Sequence, residues 1–326
     1  MDAYGGGRFI GDYSVVRRLG TGGMGAVYLC RTRAGQRLAV KVVREELAED
    51  PLIRQRFMRE VDALRTVHSP YTVPVYDART SGPVLWLATR YLDGPTLSTR
   101  VQEYGPMSPA EVARLGVMLA EALVTVHGRG VVHRDIKPTN IILEDDEPRL
   151  IDFGIARSVA ASSLTQPGTA LGTPGYMAPE QLDCREPTDA VDIFALGAVL
   201  AYATTSRPPF GTGRSALQRM MDKSQPDLRG IPPLLATLIA TCLAPSPAAR
   251  PTLRKVTQVL NDIIAAADRR AARRTTIRTE PVAHPEHQCH VPAAPGVCAL
   301  RPAAEHVLSA GLTHALIRKA VLHEDR

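Results

Sequence analysis

The chain has 326 residues, of which 44% are hydrophobic and 22% are charged, so it can bury a substantial core and is not intrinsically disordered. Its formal net charge is +6, but the arginines gather towards the C-terminus, so we expect no nucleic-acid partner. The five cysteines have no framework spacing, the N-terminus has no apolar signal region, and no apolar run of about 18 residues follows residue 267. We therefore expect a cytoplasmic protein with reduced thiols and no membrane span.

A glycine-rich segment lies between two β-type runs near the N-terminus. Residues 19 to 28 read Leu-Gly-Thr-Gly-Gly-Met-Gly-Ala-Val-Tyr, and glycines at this spacing let backbone N–H groups approach phosphate without obstruction by side chains. A Rossmann fingerprint would require a helix directly after the glycines, whereas a second β-type run follows here, from Ala26 to Cys30. By itself the pattern is weak, because glycine-rich turns also occur in hairpins.

A strand that carries a lysine is followed by an amphipathic helix. Lys41 ends the strand-like Ala-Val-Lys run, and residues 51 to 67 are predicted to be helical because apolar residues recur at core-facing spacing. This spacing leaves Glu60 available to pair with Lys41, although each is also compatible with an exposed, solvated charge. The core-facing residues of the helix are Phe57, Val61 and Leu64.

The most informative feature is the run His-Arg-Asp-Ile-Lys-Pro-Thr-Asn at residues 133 to 140, followed by Asp-Phe-Gly at residues 152 to 154. In phosphoryl transfer the transferred group needs little covalent help, so the protein must position the nucleophile and neutralise charge on phosphate oxygens and metal ions. The residues with that chemistry are Asp135, Lys137, Asn140 and Asp152.

Taken in chain order, these motifs resemble those of the eukaryotic-type (Hanks-type) protein kinases, with Lys137 where serine/threonine members carry it. Several phrases, such as the run at residues 86 to 97, look most like kinases of actinomycetes. The resemblance implies an α+β fold with a small β-rich lobe, about residues 9 to 92, and a larger, mainly helical lobe. It also implies transfer of the ATP γ-phosphate to serine or threonine hydroxyls of proteins in bacterial signalling, with autophosphorylation of the activation loop.

By this resemblance ATP lies between the lobes, beneath the glycine-rich segment. Residues 84 to 94 resemble the strand and hinge that hold adenine, so Thr89 is the expected gatekeeper and Arg90 stands where the family most often has an acid. Val27, Ala39 and Ile142 are expected to sandwich adenine. The full set of expected ATP-binding residues is Leu19, Gly20, Thr21, Gly22, Gly23, Gly25, Val27, Ala39, Lys41, Thr89, Arg90, Leu92 and Ile142.

The resemblance also implies the catalytic roles. Asp135 accepts the proton of the substrate hydroxyl, and Lys137 offsets charge on the γ-phosphate. Lys41, held by Glu60, orients the α and β phosphates. The expected ligands of Mg²⁺, for which Mn²⁺ can substitute, are Asn140 and Asp152.

Three residues are expected to support this site. Glu180, which ends a segment resembling the substrate-docking loop, should pair with Arg250. Asp192 lies in the apolar run of residues 190 to 204, and it should tie the catalytic loop to the large lobe. The polar residues of that run favour a buried core helix over a membrane span.

In the family that the sequence resembles, an arginine directly before the catalytic aspartate, as Arg134 is here, correlates with control by phosphorylation of the activation loop. A phosphate on that loop supplies acceptors that can dock on the arginine. Thr165 is the first choice of acceptor, whereas Pro167 occupies a place where some relatives have a second threonine. Thr173 is expected to make a structural hydrogen bond to Asp135 and Lys137. The candidate phosphorylation sites are Ser162, Ser163, Thr165 and Thr169.

Two alternatives remain. A pseudokinase scaffold would bind nucleotide or partners without catalysis, but such proteins usually lack one of three residues that are all present here, Lys41, Asp135 and Asp152. A small-molecule phosphotransferase of related fold would generally lack the peptide-docking segment at residues 172 to 180 and Lys137.

The expected organisation is an N-terminal extension (1–12), a kinase domain (13–267), a basic and then Pro/Ala-rich linker (268–302), and a tail (303–326) that forms either a short helix or no stable structure. Arginines between Arg269 and Arg278 allow weak lipid contact. The tail's histidines and cysteines fit no zinc spacing, so we expect no metal there. A homodimer for trans-autophosphorylation is a further expectation.

Overall fold

An antiparallel sheet forms the N-terminal part of the chain in the computed structural model, which describes residues 9–23, 25–153, 175–182, 188–222 and 224–278. Numbered along the chain, its six strands lie side by side in the order first, second, third, fourth, sixth and fifth. Two helices, α1 (Glu45–Ala48) and α2 (Pro51–Arg65), connect the fourth strand to the fifth. The strands are β1 (Phe9–Ile10), β2 (Tyr13–Gly22), β3 (Gly25–Arg31), β4 (Arg37–Val43), β5 (Val75–Arg79) and β6 (Trp86–Arg90).

Helices dominate the rest of the described chain. A 3₁₀ turn at Pro138–Asn140 leads into a short hairpin of β7 (Ile141–Glu144) and β8 (Glu147–Leu150). A second 3₁₀ turn occupies Pro247–Ala249. The predicted α+β class with a small β-rich lobe and a larger helical lobe is confirmed. The helices are α3 (Leu97–Tyr104), α4 (Pro109–His127), α5 (Pro179–Leu182), α6 (Ala190–Thr205), α7 (Gly213–Met221), α8 (Pro233–Cys242) and α9 (Leu253–Arg278).

The two faces of the six-stranded sheet differ in burial. Side chains alternate along β4, so Leu38, Val40 and Val42 pack with Tyr28 and Trp86 into a closed core on one face. The opposite face of the same strand carries Ala39 and Lys41, which are only half-buried. The sheet therefore presents one partly open face towards the rest of the protein.

Helix α2 begins where its sequence predicts. The Asp50 carboxylate accepts hydrogen bonds from the backbone N–H groups of Leu52 and Ile53, at 2.8 and 3.4 Å, and Pro51 occupies the first turn. The helix buries its apolar stripe in a cluster that also contains Leu85, Leu87 and Phe153. The stripe consists of the predicted residues Phe57, Val61 and Leu64.

Helix α6 is buried along almost its whole length and forms the centre of the large lobe. Its residues from Val191 to Ala203 are buried, and they include Asp192, whose side chain has no exposed surface. Within the ranges that the structure describes, no helix has the length and apolar character needed to span a membrane.

Helix α9 extends beyond the expected end of the kinase domain. The helix runs through residue 268, where the expected linker begins, and continues to Arg278. Neither Gly nor Pro occurs between Leu253 and Arg278, and Asp268 pairs with Arg114 of α4 at 2.9 Å. The sequence therefore contains no residue that would end the helix at position 268.

The thiols of Cys30 and Cys242 are unpaired and buried in the two lobes. Burial raises the pKa of the Cys30 thiol to about 11 and that of the Cys242 thiol to about 12. Both thiols therefore stay protonated at neutral pH, as core residues rather than reactive groups.

Gly25 begins β3 at a point where the backbone of β4 approaches closely. A Cβ atom at this position would overlap the carbonyl oxygen of Val42, so we expect Gly25→Ala to lower the free energy of unfolding by about 2 kcal/mol. The measurement is urea denaturation beside Gly22→Ala, where an added Cβ meets no atom within 4 Å. Equal stability of the two variants would contradict the close approach.

Candidate active site

The partly open face of the sheet collects the residues expected around adenine and phosphate. Antiparallel partners point to the same side of a sheet, and the register pairs Gly20 with Val27, Val27 with Lys41, and Ala39 with Thr89. These side chains therefore line one surface. An added Cβ at Gly20, Gly22 or Gly23 would meet no atom within 4 Å, which leaves room beside the β2–β3 turn.

The segment after β6 is held against β7. The Pro95 carbonyl accepts a hydrogen bond from Leu143 N–H at 2.9 Å, and Thr96 forms a bridge with Ile142. Gly94 lies so close to the Leu143 carbonyl that a side chain there would overlap it. Ile142 is thereby placed next to the connection between the lobes, the position expected of an adenine contact.

Arg90, the departure from the family pattern, forms a bidentate ion pair with Glu144 of β7. The two N···O distances are 3.0 and 2.7 Å. Hydrogen bonds from Arg90, with help from Arg149, hold the pKa of the Glu144 carboxyl below its usual range. The pair joins the end of β6 to the hairpin that carries Ile142.

Two polar side chains of the catalytic loop, residues 133 to 140, converge on one carboxylate. The Asp135 Oδ2 atom accepts hydrogen bonds from Lys137 Nζ at 2.9 Å and from Asn140 Nδ2 at 3.0 Å. The Asn140 amide also donates to the Asp135 carbonyl at 2.9 Å. The carboxylate is thus held in one orientation beside a cation, with about a fifth of its side chain exposed.

The carboxylate of Asp192 holds the backbone of this loop by hydrogen bonds. Its two oxygens accept hydrogen bonds from the N–H groups of His133 and Arg134, each at 2.8 Å, and His127 Nε2 lies 2.8 Å from Oδ2. Arg134 has a φ of +65°, a left-handed conformation that is uncommon for arginine. The buried carboxylate therefore stabilises a strained turn directly before Asp135.

His133 links the catalytic loop to the segment that carries Asp152. Its Nε2 lies 3.1 Å from the Ile151 carbonyl, its Nδ1 accepts from Asp135 N–H at 3.3 Å, and its ring lies 4.6 Å from the ring of Phe153. Burial lowers the pKa of His133 despite the nearby carboxylates of Asp192 and Asp135. A neutral ring protonated at Nε2 satisfies both contacts.

Lys41 contacts Asp152 directly. The Nζ to Oδ1 distance is 3.0 Å, and both side chains are about one third exposed. Burial alone would raise the pKa of Asp152, but the charge and hydrogen bond of Lys41 outweigh it and lower the pKa below its ordinary value. Asp152 therefore stays ionised at neutral pH.

The structure differs from the expected pairing of Lys41 with Glu60. In the described part of the chain, the Glu60 Oε1 atom accepts from Arg134 Nη1 at 3.1 Å, and no ion pair joins Glu60 to Lys41. Lys41 pairs with Asp152 instead, and Glu60 pairs with Arg134.

Glu180 and Arg250 form a buried, bidentate pair. The N···O distances are 2.5 and 2.8 Å, and the same guanidinium donates to the carbonyls of Ala244 and Ala190, at 2.9 and 2.8 Å. It also lies over the ring of Phe194, 5.0 Å from its centre. The start of α5 is thereby fixed to the start of α6.

A model of the protein kinase domain family matches residues 13–261. The chain belongs to the protein kinase family. The sequence prediction of a Hanks-type kinase is confirmed.

The relatives of this kinase include serine/threonine-protein kinase AfsK of Streptomyces coelicolor, which is 49% identical over 234 residues covering 71% of this chain and 29% of AfsK. The probable serine/threonine-protein kinase PkwA of Thermomonospora curvata is 47% identical over 201 residues, covering 62% of this chain and 27% of PkwA. This kinase thus spans less than a third of the length of these relatives. The predicted resemblance to actinomycete kinases is confirmed.

Solved structures show the same fold. The crystal structure of the Mycobacterium tuberculosis PknI kinase domain has a TM-score of 0.65 and 28% identity, and the match covers 80% of this kinase and 99% of that chain.

Several predicted residues of the kinase lie outside the described residues. They are the candidate phosphorylation sites Ser162, Ser163, Thr165 and Thr169, together with Thr173, and the tail beyond residue 278.

Two contacts of the site were not predicted: the ring of His133 between Ile151 and Asp135, and the side chain of Gln181 against the Arg134 carbonyl. The position of His133 in the motif was a usable signal for the first, whereas no pattern marked the second.

The chemistry of the two candidate metal ligands fits a magnesium ion. Asn140 uses its amide nitrogen for Asp135, which leaves its carbonyl oxygen as the ligand atom, and Asp152 stays ionised. Among the described residues no group of three or more His, Cys, Asp or Glu side chains could hold a metal ion. Mg²⁺ does not need one, because it is usually bound by one or two protein oxygens together with phosphate and water.

Proposed function

We propose that this chain is an active, ATP-dependent serine/threonine protein kinase. The observation that carries the proposal is the Asp135, Lys137 and Asn140 cluster, held on the buried carboxylate of Asp192. Such a cluster supplies a base, a cation and a metal ligand within one short loop. Phosphoryl transfer requires these three kinds of group and little else from the protein.

In this proposal Asp135 accepts the proton of the attacking hydroxyl. Lys137 and Asn140 both donate to Oδ2 of this carboxylate and hold it in one orientation for that role. The Lys137 ammonium then lies within reach of the charge that develops on the γ-phosphate. ATP occupies the partly open face of the sheet, with adenine between Val27, Ala39 and Ile142.

We assign Asn140 and Asp152 to Mg²⁺, which would neutralise charge on the phosphates when bound. Mn²⁺ has similar oxygen chemistry and can substitute. Lys41 touches one of these ligands, so it would keep Asp152 oriented until phosphate competes for the ammonium.

The contact of Glu60 with Arg134 supports control by phosphorylation. Protein kinases require the ion pair between the strand lysine and the helix glutamate for activity. A phosphate on the activation loop carries close to two negative charges and would compete with Glu60 for Arg134. We therefore propose that phosphorylation, first at Thr165, draws Arg134 away and releases Glu60 for Lys41.

We further propose that the kinase acts in the cytoplasm on protein substrates with serine or threonine acceptors. A homodimer for trans-autophosphorylation and weak contact of Arg269 to Arg278 with anionic lipid remain part of this proposal. The relatives named as serine/threonine kinases support the acceptor class.

The test is the intact mass of phosphatase-treated protein before and after incubation with Mg-ATP, beside Asp135→Asn. We expect phosphate to be gained by the parent alone, with new sites that map to Thr165 or Thr169. No gain despite measured ATP binding, even with a generic basic-protein substrate or enforced dimerisation, would favour the pseudokinase scaffold instead.

A further inference from the structure

Gln181, in the short helix α5, makes two side-chain hydrogen bonds in different directions. Its Oε1 atom accepts from Ala178 N–H at 2.9 Å, and its Nε2 atom donates to the Arg134 carbonyl at 3.1 Å. The orientation of the amide follows from its partners, because a backbone N–H can only donate and a backbone carbonyl can only accept.

The first bond has an ordinary explanation. Gln181 is the third residue of α5, and a Glu or Gln there commonly accepts a hydrogen bond from the backbone N–H of the residue that caps the helix. A glutamate would serve this purpose equally well. An ionised glutamate could not donate to Arg134, whereas the neutral amide accepts from Ala178 and donates to Arg134 at the same time.

The second bond acts on the peptide group that joins Arg134 to Asp135. The carbonyl of that peptide accepts from Gln181, and its N–H donates to His133 Nδ1 at 3.3 Å. On the preceding side, Arg134 N–H is held by Asp192 at 2.8 Å. With a φ of +65° at Arg134, the peptide depends on such contacts for its orientation.

Gln181 is itself firmly placed. The preceding residue, Glu180, is tied to Arg250 in the buried pair, and Gln181 N–H donates to the Ala178 carbonyl at 3.0 Å. Its amide therefore joins the anchored end of the docking segment to the catalytic loop.

We propose that Gln181 is a positioning residue, which orients the peptide between Arg134 and Asp135 and thereby the carboxylate of Asp135. The proposal rests on the kinase activity proposed above and on the role of Asp135 in it. It identifies a route by which the docking segment, where a protein substrate binds in this family, is coupled to the base.

Gln181→Glu is the informative variant, because it keeps the acceptor for Ala178 and removes the donor for Arg134. In this variant a carboxylate oxygen faces the Arg134 carbonyl, and two acceptors repel each other. We therefore expect kcat to fall about tenfold at neutral pH, with KM for ATP and the midpoint of thermal unfolding unchanged. The matched control is Gln102→Glu, on an exposed face of α3.

The pH dependence separates positioning from helix capping. As the pH is lowered towards the pKa of a carboxyl, the introduced acid becomes protonated and can donate to the Arg134 carbonyl. The deficit of Gln181→Glu relative to the parent should therefore shrink at low pH, whereas the deficit of Gln181→Ala should not. A parental kcat in Gln181→Glu, a deficit that does not change with pH, or a fall in kcat that only follows a fall in thermal stability would overturn the proposal.

Hydrogen exchange gives a reading that needs no catalysis. In Gln181→Glu, the amide of Asp135 should exchange about fivefold faster than in the parent, while amides of α4 remain unchanged. If the parent transfers no phosphate, the proposed function fails, but faster exchange still supports the role of Gln181. Unchanged exchange at Asp135 contradicts that role whether or not the parent is active.

Discussion

Asp135→Asn should bind ATP as tightly as the parent and transfer phosphate about a thousandfold more slowly. The substitution keeps the size of the side chain and an oxygen that can accept from Lys137 and Asn140, so the loop should retain its shape. What it removes is the atom that can take a proton from the substrate hydroxyl. The loss should appear in kcat and leave KM for ATP unaffected, because the described side-chain contacts of Asp135 are with Lys137 and Asn140 of the same loop.

The measurement is steady-state phosphate transfer to a generic basic-protein substrate, combined with nucleotide binding by titration calorimetry. Asp146→Asn is the matched control, since this exposed aspartate lies in the turn between β7 and β8, where a left-handed φ of +63° suits asparagine as well as aspartate. A rate within a few fold of the parent would show that another group is the base. Loss of ATP binding would place Asp135 in the nucleotide site instead.

The second large effect concerns stability. Arg250→Met should lower the free energy of unfolding by about 4 kcal/mol, because it leaves the Glu180 carboxylate buried without its cation. The arginine side chain has no exposed surface, and it also donates to the carbonyls of Ala244 and Ala190. Methionine fills part of the volume but satisfies none of these acceptors.

Urea denaturation measures this effect, and Arg114→Met is the matched control. Arg114 also pairs with a carboxylate, that of Asp268, but both side chains are more than half exposed, so we expect a change below about 1 kcal/mol. The double variant Glu180→Leu/Arg250→Met should recover part of the loss, since no unpaired charge remains. Equal stability of Arg250→Met and the parent would mean that the buried pair adds nothing beyond its desolvation.

The local sequence pattern was sufficient to predict helix α2 and the loop around Asp135, which hold residues of the site. The spacing of Phe57, Val61 and Leu64 predicts α2 to within two residues at its end, and the motif around Asp135 predicts which polar side chains converge. These features depend on residues close in the chain or on a single apolar stripe, so they can be read without the fold.

The local sequence pattern did not predict which of several possible partners a polar side chain would contact. Glu60 can pair with Lys41 or with Arg134, and both arginine and lysine satisfy its charge. The outcome depends on where α2 lies relative to the catalytic loop, which is a property of the whole assembly. The same holds for Gln181, whose partner is 47 residues away.

The ion pair between Arg90 and Glu144 makes the edge of the cleft sensitive to ionic strength. Arg90 is half-exposed, so dissolved salt screens its attraction to Glu144, whereas the Glu180–Arg250 pair lies out of reach of the ions. Raising the salt concentration should therefore loosen the connection between β6 and β7 while the large lobe keeps its stability. In this kinase, the gap between the lobes and the fold of the lobes respond to different properties of the solution.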